Sequence, residues 1–366
     1  MIHPPMDNDP QPTESRAKRE WGLFMGGIGS ISAIIGLCVT IGGGVTWYMT
    51  HRNQHAESNA KMALAQAQAK QNEYQASVQT YADILKTDPL YRAALDQQLD
   101  QTMLWTENFS VLVPEGQDAS AAASPLLDEI LLILDAGLTR STGTRAADIQ
   151  AHIGWAHWLN HHIAAREFGP SAEQNLRAAL VTDPSNVYAH AMLGNWLTMN
   201  GGSLAEAAQH FNSAVATGKA RAFVRSLQLA GLENVDEPGA RAALMKALNE
   251  MRKNNEPLDP EEKHRILGFC CDPEVTDHTE LTESLSAVSA EDAWQTYLWL
   301  DDQQGTGEDA KHQQIIHDFI AANIAEISGN KQKSLSEYRA LQDELKNQGS
   351  TLRDSVDQAI ARLSHG

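Results

Sequence analysis

LNHHIAAREFGPSAEQNLRAALVTDP (159–184), LGNWLTMNGGSLAEAAQHFNSAVATGK (193–219) and LQLAGLENVDEPGARAALMKALNEMRKN (227–254) are three passes over one pattern. Leu159, Leu193 and Leu227 recur at a step of 34. The small-large-small set Ala172, Leu176, Ala179 returns as Ala207, Phe211, Ala214 and again as Ala240, Leu244, Ala247, at steps of 35 and 33. The middle copy therefore carries one extra residue, near Gly201-Gly202. A period in the mid-thirties with this pattern predicts an array of helical hairpins. Small residues at Ala172, Ala207 and Ala240 let the two helices of a unit approach closely, and Leu176, Phe211 and Leu244 fill the space between units. No hairpin buries its apolar face alone, so neighbours stack into one continuous core. Alternating runs of β-branched residues are missing, and the expected class is all-α.

Outward from this array, residues 56–106 read as a helical segment. Leu64, Ser77, Tyr81 and Pro89 repeat the offsets of Leu159, Ala172, Leu176 and Pro184. Residues 107–124 read as a loop or linker, and Pro125 opens a short helix running to Leu138 at the head of the central array, 125–254. Residues 255–310 carry fifteen acidic and two basic side chains, with two helices expected near 261–270 and 279–302. Residues 311–366 read as a helical hairpin and a capping helix, in which Ser334, Tyr338 and Leu341 echo the repeated set.

Before the array comes a different kind of sequence. Residues 1–20 are polar and Pro-rich, the composition of a disordered tail. Residues 21–49 contain an uncharged run from Trp21 to Tyr48, long enough to cross a bilayer. No small-residue cleavage site follows promptly, so the run reads as an uncleaved signal anchor. Arg16, Lys18 and Arg19 precede it, which favours a cytoplasmic N-terminus and a body outside. Ser32, Gly36, Thr40 and Gly44 fall four apart and put small residues on one helix face, the arrangement of a close-packed membrane helix dimer.

The repeats resemble the tetratricopeptide repeat family, whose units carry Leu-Gly, then Ala, three residues, Phe, then Pro. Leu193-Gly194, Ala207, Phe211 and Ala214 match best; His190, Leu197 and Lys219 stand where the family has Trp, Tyr and Pro. The first unit has Asn160 in place of Gly, and the third lacks both Gly and Pro. The resemblance implies a solenoid whose first helices line a concave partner-binding groove. Carried across residue by residue, that groove would present His157 and His161, then Tyr188, Ala191, Asn195 and Met199, then Ala222, Arg225 and Leu229. The layout of one span followed by repeats is also similar to bacterial envelope proteins that assist translocation, cytochrome maturation or complex assembly. It implies an inner-membrane, single-pass protein with a periplasmic or otherwise extracytoplasmic body, acting as scaffold or assembly factor for a protein or peptide partner.

The chemistry in the sequence is sparse. A net charge of −19 argues against nucleic acid, whose phosphates need clustered Lys and Arg. His157 and His161, four apart, share a helix face and could hold a metal, but no third ligand and no metalloprotease glutamate accompanies them. A metal-dependent envelope hydrolase built on that pair is the alternative class, and an oligomerising spacer is another. Phosphate loops, nucleophile elbows and paired catalytic carboxylates are not found, so no catalytic residue, cofactor or resident metal is assigned. Trp155, Trp158, Trp196, Trp294 and Trp299 read as core. Cys270-Cys271 are either buried thiols or, outside the cytoplasm, a vicinal disulfide.

Overall fold

The computed structural model describes residues 56–110, 118–164, 169–235, 239–271, 276, 278–301, 308–347 and 351–365, and these residues are all-α. The tail at 1–20, the span at 21–49 and its packing face Ser32, Gly36, Thr40 and Gly44 lie outside the described residues. Among the described residues, no helix is long and apolar enough to cross a membrane.

The chain divides into two compact units, one ending at Gln101 and one beginning at Thr102. The first holds α1 (56–70), α2 (Tyr74–Thr87) and most of α3 (Arg92–Glu107), which crosses the division. Ala65, Tyr81, Ile84 and Ala94 form its core. The expected register slips by one here: Leu64 is 52% exposed and Ala65 is buried in its place. Ser77 explains the shift, because its hydroxyl is buried and donates to the Ala65 carbonyl at 2.8 Å.

In the second unit, α4 spans Ala119–Leu138. The expected linker at 107–124 is therefore shorter, and Pro125 lies inside the helix instead of opening it. Asp118 starts α4 by accepting from the Ser120 amide at 3.0 Å, and the alanines that follow favour helix. Three hairpins come next: α5 (Gly143–Ala164) with α6 (Gly169–Thr182), α7 (Val187–Met199) with α8 (Leu204–Ala216), and α9 (Arg221–Glu233) with α10 (Ala240–Lys253). All nine residues of the repeated small-large-small sets are buried. Gly194 lets the ring of Phe211 lie against α7: a Cβ there would meet the ring at 3.0 Å. The extra residue of the middle copy is spent on ending α7. Gly201 takes φ +69° and the Gly202 amide returns to the Leu197 carbonyl at 2.8 Å, the closure of a helix by a left-handed residue.

Among its described residues the acidic segment holds three helices, not two: α11 (Pro260–Cys270), α12 (His278–Ser286) and α13 (Ala290–Leu300). The expected helix at 279–302 is divided because Ser289 caps a new start, accepting from the Asp292 amide at 3.2 Å. α14 (Glu308–Ile327) and α15 (Lys331–Glu344) form a hairpin, a 3-10 turn covers Leu345–Asn347, and α16 (Thr351–His365) closes the chain. Ser334, Tyr338 and Leu341 are buried in that hairpin. Cys270 and Cys271 are bonded to each other and fully buried at the end of α11.

Candidate partner-binding surface

The expected groove residues do not all lie on one open face. Asn195 is 3% exposed, and its Nδ2 donates to the Leu227 carbonyl at 2.8 Å, tying α7 to α9. Ala191 and Leu229 are fully buried. These positions form the seam by which successive first helices pack side by side, so the expectation that they face a partner is corrected. A 100° step per residue assigns a face of the helix, but not whether the next unit covers it.

Arg225 is corrected for the same reason, because its side chain is only 3% exposed. Its Nε donates to Glu256 Oε2 at 3.1 Å, its Nη2 to Glu256 Oε1 at 3.3 Å, and its Nη1 to Gln228 Oε1 at 2.7 Å. Arg221 donates to the same Glu256 carboxylate at 2.5 Å. Burial opposes ionisation of Glu256, but the hydrogen bonds and charges of Arg225 and Arg221 outweigh it and hold the carboxyl below its ordinary value. The guanidinium expected at the end of the groove is thus already engaged by a carboxylate that follows α10. Sequence reasoning counts Glu256 only among the acidic residues of 255–310 and misses its role; the available signal is an acidic residue directly after an Asn-Asn helix stop.

The remaining groove residues are accessible to differing degrees. His161 is exposed, while His157, Tyr188 and Met199 are half-buried. Tyr188 packs between His152 and Phe223, with ring centroids at 4.8 and 6.0 Å. Burial pushes the His157 imidazole below its ordinary pKa, opposed by the charge of Asp135. Among the described residues, no three His, Cys, Asp or Glu side chains converge as metal ligands, around His157 and His161 or elsewhere.

His152, five residues before His157, is fully buried. Its Nδ1 faces the Asp148 carbonyl at 2.6 Å and its Nε2 faces Glu107 Oε1 at 2.9 Å. A carbonyl only accepts, so Nδ1 supplies the hydrogen of its contact. This pair fastens the end of α3 to α5.

Beside Arg225 opens a cavity of about 650 Å³, lined by Arg221, Ala222, Ser226, Leu229, Met251 and Leu258 among others. Ala222 and Ser226 are exposed at it. A second cavity, of about 350 Å³, lies where α8 and α10 flank Phe211, Leu232 and Ala247. Trp155 and Trp158 are buried and stacked at 4.4 Å, whereas Trp196, Trp294 and Trp299 are only half-buried.

Compared with known proteins, the chain matches no family model and none of the curated sequences.

Proposed function

We propose that the protein is a membrane-anchored interaction module of tetratricopeptide type, a scaffold or assembly factor that binds a protein or peptide partner at a bacterial envelope. In this reading residues 21–49 anchor the chain in the inner membrane, Ser32, Gly36, Thr40 and Gly44 pair two such anchors, and the helical body lies on the periplasmic side. The carrying observation is the stacking of three hairpins in one register beside an open cavity of about 650 Å³ with both apolar and charged walls. Binding surfaces of this mixed kind suit a peptide held by side chains and charge together. The partner surface is moved from the seam at Asn195 to the accessible residues Ala222 and Ser226 with their neighbours Arg221 and Leu258. The acidic balance of the body favours a partner that is not nucleic acid.

A photo-crosslinking side chain placed at Ser226, or at Val181 on the far end of α6 as control, tests this in native membranes. Val181 is 84% exposed and distant in sequence from the cavity. A single adduct formed from Ser226 and not from Val181 supports the reading. The same adducts from both positions, or adducts from Val181 alone, would show that the cavity is not the binding site.

A further inference from the structure

Glu256 is held in place before any partner arrives. Asn255 takes φ +52°, and the amides of Asn255 and Glu256 return to the carbonyls of Arg252 at 3.1 Å and Met251 at 2.9 Å. This paired closure of α10 fixes the backbone of Glu256 and aims its side chain, 11% exposed, at both arginines. The carboxylate receives bonds from three guanidinium nitrogens on α9. All three side chains line the cavity, and Ala222 and Leu258 are its accessible apolar residues beside them.

We infer that Glu256 is a resident occupant of a carboxylate-binding site, and that the carboxylate of an acidic partner enters by replacing it. The inference rests on the reading of this cavity as the partner surface. A buried guanidinium without a carboxylate is costly, so an empty site would destabilise the fold. Exchange of one carboxylate for another avoids leaving Arg225 with only Gln228 and the exposed Glu250, whose carboxylate lies 3.5 Å away. Arg221 is 38% exposed and gives the incoming group a first contact from solvent. Glu256 can swing away from the pair while its backbone bonds persist, since those bonds use main-chain atoms only. The ligand class is a peptide that presents a carboxylate next to one or two aliphatic side chains.

The test uses the full-length chain in detergent, with acetate as the first probe. In Glu256→Ala, sodium acetate should raise the thermal midpoint above that in sodium chloride of equal ionic strength, while wild type shows no difference. Adding Arg225→Gln should abolish the acetate effect. The second probe is a fluorescent acetyl-Ala-Leu-Ala-Leu-Ala peptide, as free acid, as amide, and as amide with its last residue changed to Glu. Glu256→Ala should bind at least one carboxylate-bearing peptide tenfold or more tighter than wild type does, and tighter than it binds the plain amide. Preference for the free acid assigns the site to a chain terminus; preference for the Glu amide assigns it to an acidic side chain. If Glu256→Ala does not fold in chloride, Glu256→Gln replaces it, with the same order of peptide affinities expected. Acetate indistinguishable from chloride, or equal binding of all three peptides, would overturn the inference. Should that happen while Ser226 still crosslinks one partner, the interaction surface stands and only the resident carboxylate falls. Acetate stabilisation without any Ser226 adduct would instead remove the partner reading alone.

Discussion

The contact between Gly194 and Phe211 allows the repeat register to be tested by a change of sign. Phe211 is buried, and truncation of a buried Phe to Ala costs about 3–5 kcal/mol. Phe211 also borders the cavity of about 350 Å³, so the hole left by Phe211→Ala joins existing space, which places the expected loss at the lower end. A methyl group at Gly194 would lie 3.0 Å from the ring, tighter than an ordinary carbon contact. Gly194→Ala should therefore lose about 1–3 kcal/mol to overpacking and regain up to about 1 kcal/mol from helix propensity. In the Phe211→Ala background the ring is gone, so only the propensity gain remains and the same methyl should stabilise. Urea unfolding of the four proteins, followed by circular dichroism, gives the coupling energy, expected to be on the order of 1–3 kcal/mol. If Gly194→Ala changes stability by the same sign and amount in both backgrounds, the two residues are not in contact and the register of the middle hairpin is misread.

Arg225→Ala should destabilise by about 3 kcal/mol, the lower end for a broken buried pair, because Glu256 loses two of its three guanidinium bonds and keeps only Arg221; a thermal midpoint within a degree of wild type would mean that the network around Glu256 is not formed. Burial, with the charge of His190 next, holds His210 below its ordinary pKa, and burial does the same for His157. Both imidazoles thus favour folding fully above the unfolded value of about 6.5, and that contribution is lost as pH falls from there through the folded values. Midpoints recorded between pH 8 and pH 5 should decline below about pH 6.5, less steeply in His210→Gln; an unchanged slope in that variant would count against the effect. Glu256 has a lowered pKa, so its contribution persists above about pH 4.3, its unfolded value, and disappears as the folded value is crossed from above. For the anchor, protease added to intact spheroplasts should digest the body, and protection until lysis would reverse the topology.

Much of the hairpin array was legible because its information is local. The offset of thirteen from Leu159 to Ala172, and from Leu227 to Ala240, is a length of helix, turn and helix, and a periodic sequence displays it directly. Gly201-Gly202 was readable as an insertion because the steps of 35 and 33 bracket it, and glycine takes the left-handed conformation that closes a helix without strain. What escaped was decided by partners far away in the chain. Asn195 looked like a groove residue until the carbonyl of Leu227, 32 positions on, claimed its amide. Arg225 looked like a groove residue because Glu256 lies 31 positions away with no periodic relation to it. Leu64 and Ala65 are neighbours, and the hydroxyl of Ser77 chose between them. The split at Ser289 was available as a capping signal, but the continuous apolar pattern around it argued for one longer helix.

The bond from Asn195 to Leu227 ends on the main chain of α9, not on a side chain. A tie of that kind places its chemical demand on one residue only. Whatever amino acid stands at 227 brings a carbonyl, so substitution there leaves the acceptor in place as long as the helix persists. Mutational tolerance across this seam should accordingly be lopsided: strict at 195, loose at 227. Two adjacent units can stay fastened while one of them drifts in sequence, and repeat arrays joined this way can keep their stacking long after the letters that announce the repeat have been worn away.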